Sequence, residues 1–214
     1  MKKILLTLFS FLVLGALISV ADVMPVRVSL DNPNTLGLYQ VSNEIDLYSK
    51  PEENADIVHS IRWSKDKIHP ASVTAENLFV VHLTSRDFGL VAVTDENEEW
   101  VEIIYDKTTG AKGWIKKDDP YKFMSWINFI NMYGKKYGLT LLNGAPESAK
   151  NLYSGCDDFS QVVGRLNHPQ KINLNALRGN WALVSVYDLD KVPKTGYIRW
   201  RADNGVKYYF PAMR

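Results

Sequence analysis

The tripeptide Leu47-Tyr48-Ser49 recurs as Leu152-Tyr153-Ser154, an offset of 105 residues. Each tripeptide begins a series of short matches that keep the same order and carry compatible strand patterns. The further matches are Ile57-Val58 with Val162-Val163, Ile61 with Leu166, Lys67-Ile68 with Lys171-Ile172, Trp100 with Trp181, Tyr105-Asp106 with Tyr187-Asp188, and Gly113-Trp114-Ile115 with Gly196-Tyr197-Ile198. An ordered set of this kind predicts that one compact unit occurs twice.

Each copy has the pattern of short strands separated by turns. In the first copy, residues 50–54 supply turn chemistry between two apolar runs. Residues 100–105 are aromatic and β-branched, as is typical of a strand, and residues 181–187 take the same place in the second copy. Regular short strands predict a mainly β fold with two small barrels or sandwiches, not a parallel sheet.

The first copy contains extra residues before its tryptophan strand. Residues 78–83 and 89–94 are predicted strands, and residues 84–87 would join them as a hairpin. This insertion either enlarges the first barrel or adds a β-flap to it.

A helix is predicted between the two copies. Asp119 can cap its start, Pro120 suits the first turn, and Gly134 suits a left-handed stop. The pattern favours packing of its apolar stripe on one or both barrels, with binding of a separate protein as the alternative. The stripe recurs at three- and four-residue spacing: Phe123, Trp126, Ile127, Ile130 and Tyr133.

The first 21 residues have the pattern of a cleavable signal peptide. Lys2 and Lys3 precede the uncharged apolar run 4–20, and the small residues Ser19 and Ala21 predict cleavage before Asp22. A retained membrane anchor is the alternative, since the run is just long enough to span a bilayer. We therefore expect a periplasmic or secreted protein with no integral membrane segment after cleavage.

Charge and cysteine content narrow the possible partners. The chain has 25 basic and 24 acidic residues, and the basic ones are scattered, so nucleic-acid binding is disfavoured. Its single cysteine, Cys156, cannot form a disulfide within the chain and does not lie at the cleavage point, where lipidation would require it. The predicted division is a signal peptide (1–21), a first barrel with an inserted hairpin (36–118), a helical connector (119–145) and a second barrel (146–214).

Both copies resemble the bacterial Src-homology-3-like domain family. The resemblance covers about 60 residues of the second copy, whereas the inserted hairpin interrupts it in the first. The second copy shows Leu152-Tyr153, Val162-Val163-Gly164-Arg165-Leu166, Gly179-Asn180-Trp181-Ala182-Leu183-Val184 and Thr195-Gly196-Tyr197-Ile198. The first shows Leu47-Tyr48, Ile57-Val58, Trp100-Val101-Glu102-Ile103 and Lys112-Gly113-Trp114-Ile115.

The resemblance implies two Src-homology-3-like barrels and a role in binding the cell envelope, with a cell-wall peptide or an envelope protein as the partner. It also implies a groove near the first loop and the tryptophan strand. The predicted ligand-binding residues are therefore Tyr48, Trp100 and Trp114 in one unit and Tyr153, Trp181 and Tyr197 in the other. Core packing is the alternative role for each of them.

Catalytic and metal-binding patterns are weak. Cys156 would need a base histidine, and the only later one, His168, precedes a proline at a predicted turn. No histidine or cysteine pair has metal-ligand spacing among His59, His69, His82 and His168. We expect a non-catalytic binding protein without a cofactor that recognises peptidoglycan or another envelope component. The alternative is a scaffold that binds a partner protein through the connector helix or the inserted hairpin.

Overall fold

The computed structural model describes residues 35–167, 170–187 and 192–213. The predicted signal peptide, residues 1–21, and His168 lie outside the described residues. Within the described part the chain is mainly β, with two antiparallel sheets and two α-helices.

The first sheet has nine strands. Their order across the sheet is β4-β3-β2-β8-β7-β6-β1-β9, and β5 pairs with β6 beside this path. The strands are β1 (Gly37–Val41), β2 (Glu44–Tyr48), β3 (Ile57–Ser64), β4 (Lys67–His69), β5 (Phe79–Leu83), β6 (Phe88–Glu96), β7 (Trp100–Asp106), β8 (Ala111–Lys116) and β9 (Phe123–Ser125).

The second sheet has seven strands, in the order β12-β11-β15-β14-β13-β10-β16. No ladder between the described strands closes either sheet, so the predicted barrels are open sheets here. The strands are β10 (Leu139–Leu141), β11 (Asn151–Tyr153), β12 (Val162–Arg165), β13 (Lys171–Arg178), β14 (Trp181–Tyr187), β15 (Pro193–Arg199) and β16 (Tyr209–Pro211).

The two α-helices are α1 (Ala75–Leu78) and α2 (Trp126–Tyr137), and two short 3-10 turns cover Thr84–Arg86 and Glu147–Lys150. The predicted start of the connector helix at Asp119 is wrong. The chain first pairs with β1 through β9, and the Ser125 hydroxyl then accepts the N–H of Asn128 at 3.3 Å. A serine directly before the first helical residue is a favoured cap.

The predicted end of α2 at Gly134 is also wrong. Gly134 is buried inside the helix, where a Cβ would lie 2.9 Å from the side chains of Leu139 and Leu174. The helix ends at Gly138, which has φ +81° and donates its N–H to the Gly134 carbonyl at 2.8 Å. Glycine serves close packing at the first position and a left-handed backbone at the second.

Helix α2 packs between the two sheets, which confirms the preferred interpretation of its apolar stripe. Its buried residues Trp126, Phe129 and Ile130 form one continuous core with side chains from both sheets, here called the shared core. Ile127 is 42% exposed and does not belong to the buried stripe. The sheet residues in the shared core include Leu38, Leu90, Ala92 and Ile104 from the first sheet and Leu152, Ile172, Leu174, Val184 and Ile198 from the second.

The opposite face of the first sheet has a core of its own. It combines strand residues with Leu78 of α1 and Phe79 of β5, so the inserted segment helps to bury it. Its strand residues include Leu47, Ile61, Val91, Val93, Val101, Ile103 and Ile115.

The two sheets share two irregularities of their ladders. The β2–β3 ladder shifts register between Leu47 and Tyr48, and the β11–β12 ladder shifts between Leu152 and Tyr153. A second shift occurs at Val93/Asp95 between β6 and β7, and at Leu174/Ala176 between β13 and β14. Bulges at matching places support the predicted repeat, because each bulge is a specific local irregularity.

One of the sequence matches does not hold. Among the described strands β4, which contains Lys67 and Ile68, pairs with β3 alone, whereas Ile172 lies in β13 and pairs with Val186 of β14. The shared bulges make β6 the counterpart of β13. The predicted hairpin is confirmed as β5 and β6, but β6 belongs to the repeated unit and β5 to the insertion.

Candidate functional site

In the first sheet, three predicted residues lie on the face opposite its own core. Tyr48 pairs with Trp114 across β2 and β8, and Trp114 pairs with Glu102 across β8 and β7. Directly opposed residues share a face, and Trp100, two positions from Glu102, shares it as well. Ile57, the partner of Tyr48 on β3, extends the row. These five residues are called the first outer face.

The second sheet repeats this row on four adjacent strands. Val162 pairs with Tyr153, Tyr153 pairs with Tyr197, and Tyr197 pairs with Leu183. Trp181 lies two positions from Leu183 and therefore on the same face. These five residues are called the second outer face. All six aromatic residues predicted from sequence are thus brought together in two equivalent groups of three.

The same tyrosine–tryptophan contact occurs in both groups. The ring centroids of Tyr48 and Trp100 are 5.2 Å apart with an interplanar angle of 82°. Those of Tyr153 and Trp181 are 5.3 Å apart at 85°. An edge-to-face pair of this type contributes about 0.5–1.5 kcal/mol beyond the buried area. Each tyrosine is therefore held in a defined orientation on its face.

Exposure separates the aromatic residues into two kinds. Trp100 and Trp181 are only 4% and 8% exposed, although neither belongs to the apolar cores. Tyr153 is also buried, whereas Tyr48, Trp114 and Tyr197 are half-buried. The tryptophans of β7 and β14 mainly support the face, and Trp114 and Tyr197 offer the accessible aromatic surface. A ligand-binding role for all six stays a prediction.

Each outer face is bordered by an ion pair to the loop after the first strand of the unit. Lys116 pairs with Glu53 beside the first face. Arg199 pairs with Asp158 at 2.7 Å beside the second face, where it also pairs with Asp203 at 2.7 Å. Lys116 and Arg199 hold the same ladder position, opposite Trp100 and Trp181.

These pairs shift the pKa values of the partners in the expected directions. The hydrogen bond and charge of Lys116 lower the pKa of the Glu53 carboxyl. The hydrogen bond from Arg199 lowers the pKa of Asp203. The guanidinium carbon of Arg199 also lies 5.8 Å from the ring centroid of Trp181, within the range of a cation–π contact.

The two faces differ in charge at their centre. The first contains Glu102, which forms an ion pair with Lys112 at 3.2 Å. The second has Leu183 and Thr195 at the corresponding positions. The first face is therefore charged and the second is neutral there.

Sequence reasoning missed the non-aromatic members of these faces. Glu102 and Leu183 follow the tryptophans by two residues, and Lys116 and Arg199 follow Trp114 and Tyr197 by two. The two-residue period of a strand would have assigned all four to the same face as the aromatics.

The remaining candidate groups lie apart from the outer faces. His82 is buried, with its ring 4.5 Å from Phe79 and 5.4 Å from Trp63 between centroids, and burial lowers its pKa. Cys156 is a half-buried free thiol in the loop after β11. Among residues 35–167, 170–187 and 192–213, no group of three or more His, Cys, Asp or Glu is placed to hold a metal ion.

A cleft of about 530 Å³ lies where α2 runs into β10. None of the six predicted aromatic residues lines it. Its walls include Tyr137, Leu139, Lys150, Leu166, Lys171 and Ile172.

In the ranges that the structure describes, no helix combines the length and apolar character needed to cross a membrane. No protein-family model matches the sequence, and no curated protein matches it.

Proposed function

We propose that this chain is an exported, non-catalytic binding protein that recognises peptidoglycan or another cell-envelope component through its two outer faces. The observation that carries the proposal is the repeated row of an aliphatic residue, a tyrosine and a second aromatic residue on adjacent strands. In the first unit these are Ile57, Tyr48 and Trp114. In both units the aliphatic residue is exposed and the second aromatic residue is partly exposed, so the repeat places accessible apolar surface at matching positions.

The proposal includes a Src-homology-3-like architecture for both units. The matched bulges, the matched edge-to-face pairs and the matched ion pairs support one ancestral unit that was duplicated. The quoted motifs of the family fall on the same strands in both sheets: the Leu-Tyr motif on β2 and β11, and the Gly-aromatic-Ile motif on β8 and β15.

The chemistry of the faces suits an extended wall component. Trp114 and Tyr197 are half-buried and partly accessible, and rigid aromatic rings provide contact area at a low cost in side-chain entropy. The adjoining Ile57 and Val162 are 52% and 49% exposed, which widens each aromatic strip. Since the shared core joins the two units, a ligand that reaches both faces would gain avidity.

Co-sedimentation of the purified protein with peptidoglycan tests the proposal. Trp114→Ala and Tyr197→Ala should each weaken retention about three- to tenfold, because both remove accessible aromatic surface without opening an apolar core. Tyr137→Ala, which removes an exposed tyrosine of α2 outside both faces, is the matched control and should be retained like the unaltered protein.

Retention no higher than that of a carrier protein would refute the wall-binding proposal. Equal retention of all three variants would refute the assignment of the outer faces as the binding surface, even if the protein bound the wall.

The alternative, a scaffold that binds a partner protein through α2 or the inserted hairpin, has less support. The apolar stripe of α2 is buried in the shared core, and so are Val80 and Val81 of the hairpin, each 4% exposed. Ile127 and Met132 are exposed on α2 but lie five residues apart and do not form a stripe. Cross-linking in intact cells distinguishes the alternatives, because a scaffold requires a stoichiometric protein partner.

A further inference from the structure

The second sheet carries a hydrogen-bonded row of polar side chains beside the second outer face. The Asn175 amide donates to the Ser185 hydroxyl at 2.9 Å, and the Ser185 and Thr195 hydroxyl oxygens are 3.3 Å apart. The three residues lie on the adjacent strands β13, β14 and β15, and Ser185 is the direct ladder partner of Thr195. They form a short polar row across the sheet.

The polar row runs parallel to the apolar row of the second outer face. Ser185 and Thr195 are each two residues from Leu183 and Tyr197 on the same strands. Alternation therefore places all four side chains on one face, with the rows about 7 Å apart. Tyr187, two residues beyond Ser185, is 41% exposed on the same face.

The first unit does not have this row. The shared bulges and ladders place Ile104 where the second unit has Ser185, and Lys112 where it has Thr195. Ile104 is 1% exposed and belongs to the shared core. Asn175 and Thr195, by contrast, are exposed and Ser185 is half-buried. The second outer face thus extends over an area that is covered in the first unit.

The two rows contain no charged side chain. The cations Arg178 and Arg199 flank the rows opposite Trp181, and Lys171 flanks them opposite Tyr187. A charged group placed on the rows themselves would lose hydration with no opposite charge directly against it. The rows themselves therefore favour a neutral ligand.

A sugar ring has the matching distribution of groups. Its C–H face packs against an aromatic ring, and its hydroxyls both donate and accept hydrogen bonds. Asn175 uses one amide N–H for Ser185, which leaves a second N–H and a carbonyl oxygen, and the Thr195 hydroxyl can donate or accept. Aromatic contact area beside a few oriented polar groups is the usual composition of a small-molecule site.

We propose that the second outer face, together with the row Asn175, Ser185 and Thr195, binds an uncharged glycan strand. This inference rests on the proposed function and specifies it further. The glycan lies across β13, β14 and β15, with Tyr197 against a ring face and the polar row against hydroxyl or amide groups. The first unit cannot bind a glycan in this way, because Ile104 is buried in the shared core.

Titration of the full protein with the tetramer of N-acetylglucosamine, followed by calorimetry, tests the inference. We expect saturable binding whose Kd changes less than twofold between 50 and 500 mM salt, since no charge is neutralised. Ser185→Ile, which introduces the residue of the first unit, should weaken binding at least tenfold. Thr195→Val should weaken it about threefold or more, and Ser60→Ala, which changes an exposed strand serine of the first sheet, should leave it unchanged.

No binding of the tetramer by the unaltered protein would overturn the inference. Unchanged binding in both Ser185→Ile and Thr195→Val would overturn it too, and the nearly isosteric valine keeps the test valid if the isoleucine variant does not fold. Retention on peptidoglycan without tetramer binding would refute the glycan inference alone. Tetramer binding without retention on peptidoglycan would refute the proposed function and leave the glycan site intact.

Discussion

The outer faces of the two sheets place their aromatic residues at corresponding ladder positions but have different neighbours. In the first sheet, Ile104 is buried in the shared core, which also contains side chains of α2 and the second sheet. In the second sheet the corresponding Ser185 is hydrogen-bonded at the surface. At this ladder position the side chain is apolar where it is buried and polar where it reaches the surface.

The inner faces of the two sheets are filled by side chains from different elements. In the first unit, Leu78 of α1 and Phe79 of β5 fill the inner face of the sheet. In the second unit, Phe129 and Ile130 of α2 fill it. The insertion in the first unit and the connector helix in the second therefore each help to bury the inner face of a sheet.

The largest expected effect tests whether the two units are equivalent. Trp100→Ala and Trp181→Ala should each lower the free energy of unfolding by about 3–5 kcal/mol, because each removes a buried ring and its edge contact with a tyrosine. Chemical denaturation measures both values. Losses that differ by more than about 2 kcal/mol would contradict the equivalence of the two faces.

A reciprocal exchange tests the difference between the units. Ile104→Ser should cost about 3–4 kcal/mol, since it leaves a cavity and buries a hydroxyl in the shared core. Ser185→Ile should cost less than about 1 kcal/mol, because the position is only half-buried. Similar costs for the two variants in denaturant titrations would show that Ile104 is not buried in the shared core as described.

A buried lysine near the end of the chain, Lys207, contacts both helix α2 and the residues that precede β1. The Lys207 ammonium donates to the Thr35 hydroxyl at 2.9 Å and lies 4.4 Å from the Trp126 ring centroid. The Trp126 indole N–H donates to the same hydroxyl at 2.9 Å. Lys207 is only 3% exposed, and burial lowers its pKa from 10.5 to about 8.

This pKa shift predicts how stability depends on pH. The unfolded chain binds more protons than the folded one between pH 8 and 10.5, so stability should rise as the pH increases from 7 to 9.5. Lys107, whose pKa burial also lowers to about 8, contributes in the same direction. Lys207→Met should stabilise the protein by about 1–3 kcal/mol at pH 7 and reduce the slope.

Denaturation of both proteins at several pH values measures this effect. An unchanged slope in Lys207→Met would show that the ammonium is not buried at the junction.

The smallest effect concerns the ion pairs beside the faces. Arg199→Ala should lower stability by less than about 1 kcal/mol, through its two carboxylates and its contact with Trp181, after allowance for solvent screening. Lys116→Ala should leave the thermal midpoint unchanged, because its pair with Glu53 is solvated. A larger loss for Lys116→Ala than for Arg199→Ala would reverse the expected order.

The repeated unit was predictable from sequence because its strands are short and several of them carry a recognisable motif. The Leu-Tyr motif and the tryptophan strands lie where expected, and the hairpin of β5 and β6 is present. The match of Lys67-Ile68 failed because an edge strand and a central strand with similar composition cannot be told apart without their partners.

The helix limits and the polar row were beyond local sequence patterns. Asp119 and Pro120 form a good helix start, but pairing of β9 with β1 keeps the chain extended until Ser125. Ser185 and Thr195 are ordinary strand residues in the sequence. Only the structure shows that they form a polar row where the first unit has the buried Ile104. Both features depend on tertiary contacts.

Hydroxyl-radical footprinting of the protein with and without soluble peptidoglycan fragments tests the central claim most directly, because it reports the contact surface residue by residue. We predict that Trp114 and Tyr197 become protected from oxidation, while Tyr137 on α2 stays as reactive as in the free protein. Binding without protection of either aromatic residue would show that the wall is recognised elsewhere on the molecule.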